Sequence, residues 1–197
     1  MPTGDRAWSR LTLPAVGLAL GVATSYAQQW LAPPWASLAN AASPWLTLAW
    51  LVGMLQRNPA TAAVAGALTC AAEVAGYYGA SAARGFGVSD SYVAFWLACA
   101  LTAGPLFGAC GRWARERGVA GSVGAAAIPA TFLGEALGSY VIRLGYAGDA
   151  MVFAGIGVLT AAFAVLRAAT PLRTATAIVV GAAGGTLVYG FALTVLG

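Results

Sequence analysis

The chain contains no lysine and no histidine, and it carries few charges of any kind. All ten of its basic residues are arginine, and charged residues make up only 8% of its 197 residues, whereas a soluble domain has about 25%. Without histidine the chain lacks the commonest metal ligand and the commonest general base at neutral pH. We therefore predict no metal, no cofactor and no enzymatic activity, because no catalytic constellation is visible in the sequence.

Cysteine is also scarce. Cys70, Cys99 and Cys110 fall in apolar segments and form no CxxC pair, so we interpret them as small packing residues rather than as a disulfide framework. The net charge of +4 does not indicate nucleic acid, because the arginines lie where membrane topology would place them. What the chain does contain is apolar: 60% of its residues are hydrophobic, which predicts an integral membrane protein.

Seven apolar segments follow one another with short connections, and a membrane-crossing helix needs about 20 such residues. The segments are 11–31, 36–55, 60–80, 92–110, 119–142, 149–166 and 175–196. The sequence therefore predicts an all-α, polytopic transmembrane helix bundle that forms a single domain over residues 1–197. The second segment is the weakest, because its first half is small, polar and flanked by prolines. If that half is re-entrant, the bundle has six spans.

The distribution of arginine predicts the orientation. With a cytoplasmic N-terminus, eight arginines lie inside and only Arg84 and Arg143 lie outside, which is the bias that the positive-inside rule describes. The C-terminus is then external, and we expect the bacterial plasma (inner) membrane. Residues 11–31 also resemble a signal peptide, but we interpret them as a retained first helix.

Two glutamates, Glu73 and Glu135, lie inside the third and fifth apolar segments. A carboxylate in a lipid-spanning helix is expensive and by default marks a functional site. Each lies seven residues before the external end of its segment, roughly 10 Å below the surface, so we expect both to face one pocket. In the alternative they tie helices together through hydroxyl groups. Arg84 and Arg143 could neutralise them, in which case the pocket would bind dipolar molecules.

Polar and aromatic side chains gather in the same outer layer. We predict an outward-facing pocket that holds a small cationic or nitrogen-heterocyclic solute by charge pairing and cation–π contact. The predicted ligand-binding residues are Glu73, Tyr77, Tyr78, Glu135, Asn40, Trp96 and Tyr140. Aromatic residues at span ends are also typical of an ordinary interfacial belt. A proton-linked role for the carboxyls is a second functional interpretation.

Two features predict contacts with partners. Ala15, Ala19 and Ala23 recur four apart on the first span, which gives a smooth face for a neighbouring helix, although internal packing would use the same spacing. Arg112 and Arg115 lie in a charged loop that suits lipid headgroups or a cytoplasmic partner. We predict the bilayer, a small-molecule solute and a membrane partner subunit or second copy as partners, and no nucleic acid.

Several short fragments carry a resemblance to a known family. They are Leu38-Ala39-Asn40 followed by Trp45, Glu73 with Gly76-Tyr77-Tyr78-Gly79, Gly104-Pro105-Leu106-Phe107-Gly108 running to Gly111, Trp113 and Arg115, and the acid Glu135. On these fragments the chain resembles a family of small bacterial integral membrane proteins with no assigned function. It is more loosely similar to the substrate-binding subunits of energy-coupling-factor vitamin transporters. That similarity implies ligand binding near the external face and a first helix that docks a partner, but those subunits typically have six spans.

The leading hypothesis from the sequence is a substrate-binding membrane subunit or small transporter, possessing a solute pocket that is open to the outside. The alternative is a non-catalytic structural or assembly subunit of a larger membrane complex, in which the glutamates are interhelical ties. An intramembrane enzyme is the least supported class, because no nucleophile–base pair is visible.

Overall fold

The computed structural model describes the backbone from Asp5 to Leu196 and the side chains of residues 14–191. Its helices are α1 (Asp5–Trp30), α2 (Ala42–Met54), α3 (Pro59–Ala83), α4 (Asp90–Trp113), α5 (Gly118–Glu135, continued as a π-helix over Ala136–Arg143), α6 (Ala147–Arg167) and α7 (Pro171–Leu196). A short 3-10 helix, Ala36–Asn40, precedes α2. The side chains of Arg6 and Arg10, on which the predicted orientation partly depends, lie outside the described residues.

Five of the described helices are long and apolar enough to cross a membrane. They are Pro59–Ala83, Asp90–Trp113, Gly118–Arg143, Ala147–Arg167 and Pro171–Phe191. The shortest of them has 21 residues, which corresponds to about 31 Å of helix and matches a hydrocarbon core of about 30 Å. The prediction of an all-α bundle of membrane helices is confirmed.

The second predicted segment, 36–55, is not one continuous helix. α2 has only 13 residues, or about 20 Å, which is shorter than the hydrocarbon core. Ala41 separates it from the preceding 3-10 helix, because its backbone is extended, with φ −135° and ψ 152°. The segment is therefore interrupted, as in the alternative interpretation of its polar first half, and the first turn of α2 needs hydrogen-bond acceptors from elsewhere in the bundle.

The helices form two groups that meet at α2 and α4. In the first group α3 packs against α1, α2 and α4, and in the second group α5 packs against α6 and α7. One apolar cluster centres on Trp45 and Val74, between α2, α3 and α4. Another centres on Phe132 and Phe153, between α5 and α6. α2 and α4 also contact α5, so the boundary between the groups runs beside α2.

Glycines bring the backbones of α2, α3 and α4 into direct contact. A Cβ atom on Gly53 would overlap the carbonyl oxygen of Gly108, and a Cβ atom on Gly108 would overlap that of Ala62. Gly66 and Gly104 meet in the same way one turn further along α3 and α4. Small residues at helix crossings permit such close approach in membranes. This contact fixes α2 against its own group, with its first turn directed towards α5.

Candidate functional site

A cavity of about 1450 Å³ lies between α4, α5 and α7. It extends along α4 from Tyr92 to Cys110, a distance of about 27 Å. Six of the seven predicted ligand-binding residues line it: Asn40, Tyr77, Tyr78, Trp96, Glu135 and Tyr140. The structure does not bring the seventh, Glu73, to this cavity. Contact of these residues with a ligand stays a prediction.

Glu135 occupies the N-terminus of α2. Its Oε1 accepts a hydrogen bond from the backbone N–H of Ala42 at 3.1 Å. Its Oε2 accepts from the backbone N–H of Ser43 at 2.8 Å and from the Ser43 hydroxyl at 2.5 Å. The preceding residue, Ala41, has no side chain that could cap the helix, and the first N–H groups of a helix have no partner within it. A carboxylate suits this position, because the N-terminus carries partial positive charge.

The hydrogen bonds continue from Ser43 across the wall of the cavity. The Ser43 and Thr131 hydroxyls lie 3.4 Å apart, and Thr131 lies 2.5 Å from the Tyr189 hydroxyl. α2, α5 and α7 are thereby linked through side chains. Ser43 and Tyr189 were not among the predicted site residues. Thr131, Glu135 and Ser139 recur four apart in the sequence and share one helical face, which is the signal that could have indicated this line of polar groups.

An aromatic cluster lies beside the cavity, and its members Tyr77, Tyr78 and Trp96 line it. Trp45 meets the edge of Tyr77 at a ring-centroid distance of 5.6 Å and lies 6.3 Å from Trp96. Tyr77 in turn meets the edge of Tyr78 at 5.1 Å. Aromatic pairs in such arrangements contribute about 0.5–1.5 kcal/mol beyond the area that they bury. On the other side Tyr140 packs against Phe153 at 4.6 Å, so rings stand on both sides of the space.

Glu73 is fully buried and lies outside the cavity. Its relative exposure is 0%, and neither carboxyl oxygen has an N–H or O–H partner among the described residues; the Cys70 thiol, three residues earlier on α3, is a weak donor beside it. Thr69 Oγ1, one turn away on the same face of α3, and Trp45 Nε1 also lack partners there. A buried polar group without a partner destabilises a fold by about 1–3 kcal/mol. Glu73 is therefore not held as a structural tie in the way that Glu135 is.

The predicted docking residues have different surroundings. Ala15, Ala19 and Ala23 are exposed on α1, while Gly17 and Gly21 form the face that packs against the α3 backbone. The alanine series is thus not used for packing within the described part of the chain, and docking of a partner there stays a prediction.

The two arginines predicted to lie in a charged loop make contacts within the chain, and Arg112 lies in the last turn of α4 rather than in the loop. Arg115 donates from Nη1 to the carbonyl oxygen of Met54, the last residue of α2, at 2.8 Å. Arg112 donates to the carbonyl oxygen of Arg57 at 3.2 Å and forms an ion pair with Glu116 at 3.2 Å. α2 therefore has an acid at its N-terminus and a base at its C-terminus, which is the arrangement that a helix dipole favours.

Among the described side chains, neither Arg84 nor Arg143 forms an ion pair with an acid. The described residues also contain no group of three His, Cys, Asp or Glu side chains that could hold a metal ion. Arg143 is exposed and lines the main cavity, whereas Arg84 lines a smaller one. The expectation that these arginines could neutralise the two glutamates is thus not met by any described ion pair.

The fold and cavity define a polytopic helical membrane protein with a partly open cavity beside an interrupted helix. Comparison with known families places it more narrowly. The sequence model of a family of unknown function, DUF6518, matches residues 1–195, and the chain belongs to this family. The resemblance to a family without assigned function is confirmed. No curated protein and no solved structure matches the chain, so the looser similarity to vitamin-transporter subunits has no support from these comparisons.

Proposed function

We propose that this protein binds a small cationic or nitrogen-heterocyclic solute, as a substrate-binding subunit or small transporter of the bacterial plasma membrane. The cavity of about 1450 Å³ carries the proposal. It is larger than the roughly 300–1,000 Å³ of most small-molecule sites, so a small solute would fill only part of it, but like those sites it is mostly apolar with a few polar groups that could fix orientation. Its entrance is expected at the end where Arg143 lies, which the distribution of arginine assigns to the outside.

The chemistry of the cavity wall supports a flat, nitrogen-containing solute. The rings of Tyr78, Trp96 and Tyr140 offer faces for stacking and for cation–π contact, and the Asn40 amide offers both a donor and an acceptor. Glu135 already accepts three hydrogen bonds, but a carboxylate has about four lone-pair positions. One position remains for an N–H of the solute, and the α2 contacts hold the carboxylate in place to receive it.

Substitution of Trp96 tests this proposal. A panel of nitrogen heterocycles and aromatic ammonium compounds is added to the purified protein in detergent, and the thermal midpoint is measured. We expect at least one compound to raise the midpoint of the wild type and the Trp96→Leu variant to lose that response, because a cation–π contact is worth about 0.5–2 kcal/mol. Trp113→Leu is the matched control, since Trp113 does not line the cavity. Equal responses in both variants would contradict the proposal.

The proton-linked form of the proposal depends on Glu73. This buried carboxyl destabilises the fold and lies one turn before Tyr77, which lines the cavity. We expect Glu73→Gln to fold with an unchanged or higher thermal midpoint, because Gln removes a charge without changing size. We also expect a weaker solute-induced stabilisation, because Glu73 does not line the cavity itself but could act on it through Tyr77, one turn further along α3. An unchanged response to the solute would show that the carboxyl has no part in binding.

A second candidate function is a non-catalytic assembly subunit of a larger membrane complex. The observation that favours it is Glu135, whose described hydrogen bonds all join α5 to α2. If both glutamates serve only to hold helices together, Glu73→Gln lowers the folded yield and no compound in the panel raises the midpoint. The same two measurements therefore separate the two functions.

A further inference from the structure

A second, smaller cavity of about 360 Å³ lies at the end of α1 and α3. Tyr77, Tyr78 and Gly87 line both this cavity and the larger one, so the two spaces are neighbours. Gln28, Gln29 and Arg84 also line the smaller cavity, and no acid does. Its surroundings therefore carry a net positive charge.

Arg84 is held rigidly by contacts on three sides. Its Nη2 donates to the carbonyl oxygen of Ser25 at 2.7 Å and to the Ser25 hydroxyl at 2.5 Å, and its Nε donates to the carbonyl oxygen of Ala80 at 3.3 Å. The rings of Tyr26 and Phe86 lie 4.5 Å and 4.9 Å from the guanidinium carbon. The guanidinium group is thus fixed in orientation before any ligand arrives, which reduces the entropy lost on binding.

One side of this guanidinium group has no partner. Nη1 is buried and makes no hydrogen bond to any described residue, although it carries two N–H donors. No described acid pairs with Arg84. Carboxylates and phosphates bind arginine in the plane of the guanidinium group, and because Nη2 and Nε already donate to Ser25 and Ala80, the contact here would use the two N–H groups of Nη1. An oxyanion is the ligand that satisfies both the unused donors and the unpaired charge.

Gln28 supplies further donors. Its Oε1 accepts a hydrogen bond from the Tyr77 hydroxyl at 2.7 Å, which fixes the side chain and leaves the amide nitrogen, with its two N–H groups, without a described partner. Tyr77 therefore orients a donor of the smaller cavity while it forms the wall of the larger one.

We propose that the smaller cavity is an anion site, in which Arg84 and Gln28 bind a phosphate or carboxylate group. The group belongs to a free solute or to the headgroup of a phospholipid, since the cavity lies at the ends of α1 and α3, near the expected membrane surface. The site is independent of the solute proposed for the larger cavity, because none of its donors contacts Glu135.

The test uses inorganic phosphate as the probe, with the full chain in an uncharged detergent and the ionic strength matched with chloride. We expect phosphate to raise the thermal midpoint of the wild type. In the Arg84→Gln variant, the phosphate concentration that gives half of the maximal stabilisation should rise about tenfold or more, because a charge-assisted hydrogen bond is lost. Arg167→Gln is the control, because Arg167 also stacks on a ring, Phe163 at 5.0 Å, but lines neither cavity.

Gly87 provides a test that leaves the Arg84 contacts intact. A Cβ atom there meets nothing within 4 Å, so both Gly87→Asp and Gly87→Asn fit the space. The two side chains have the same size and differ in charge. We expect Gly87→Asp to lose the phosphate response and Gly87→Asn to keep it. Equal responses of these two variants, or an Arg84→Gln variant that binds phosphate like the wild type, would overturn the proposal.

The source of the anion is decided by a parallel measurement with phosphatidylglycerol in place of phosphate, and with phosphatidylcholine as the comparison lipid. Stabilisation by phosphate that depends on Arg84 indicates a free oxyanion. Stabilisation by phosphatidylglycerol alone, with the same dependence on Arg84, indicates a lipid headgroup. If neither probe gives a response that depends on Arg84, the anion site is excluded.

Discussion

Replacing Glu135 by alanine is expected to lower the free energy of unfolding by about 2–6 kcal/mol, because three donors lose this acceptor, two of them are backbone N–H groups without another partner among the described residues, and each unmet buried donor costs about 1–3 kcal/mol. The donors are the N–H groups of Ala42 and Ser43 and the Ser43 hydroxyl. Water cannot easily replace the carboxylate, since Glu135 is only 5% exposed. The loss should appear as a lower thermal midpoint and a lower folded yield.

Glu116 provides the matched control for this substitution. It is also a glutamate that contacts its neighbours, but its ion pair with Arg112 is exposed, and such pairs contribute about 0–1 kcal/mol. We expect Glu116→Ala to melt close to the wild type. The thermal midpoint of Glu135→Gln should lie between those of Glu135→Ala and the wild type. Its amide oxygen can still accept a hydrogen bond, whereas its NH₂ group faces a donor. A Glu135→Ala variant that melts with the wild type would show that the α2 terminus does not need this carboxylate.

The second large effect is expected at Gly108, in the contact between α2, α3 and α4. A methyl group there overlaps the carbonyl oxygen of Ala62, which belongs to the backbone and cannot rotate away. We expect Gly108→Ala to lower the free energy of unfolding by about 1–3 kcal/mol, the usual range for overpacking, with a matching loss of thermal midpoint and of folded yield.

Gly79 is the control for the change from glycine to alanine itself. It lies in α3, and a Cβ atom there meets nothing within 4 Å. Gly79→Ala should therefore raise stability by about 0.5–1 kcal/mol, because alanine loses less backbone freedom on forming a helix. If the two variants change the midpoint in the same direction, the backbone contact at Gly108 is not the cause.

Most of the helix pattern could be predicted from the sequence, because a bilayer imposes both length and apolar character on each span. The exception is α2. Its interruption at Ala41 depends on a carboxylate 94 residues away that meets the N–H groups of the following turn. Apolar character alone does not reveal such a long-range contact, so 36–55 was predicted as one span.

The sequence predicted the aromatic and amide side of the cavity better than its acids. Depth in the membrane follows from position along a helix, and Glu73 and Glu135 were placed together on that basis. Which way a side chain points around the helix depends on how neighbouring helices cross. Gly21 of α1 packs on the Glu73 backbone, which places this carboxyl in the interior of the first helix group. Tyr189 was missed for the same reason, because its position beside Thr131 depends on how α7 crosses α5.

The contacts at the two ends of α2 differ in strength. At one end Glu135 of α5 makes three contacts that are largely shielded from solvent, and at the other end Arg115 makes a single exposed one. Any separation of the two helix groups must break the contacts at one of these ends. Because the backbone contacts of Gly53 and Gly111 also hold α2 against α4, α2 would stay with α4. The contacts that break would then be those of Glu135 with the first turn of α2, so the large cavity would widen from the Glu135 end while the Arg115 end stays closed.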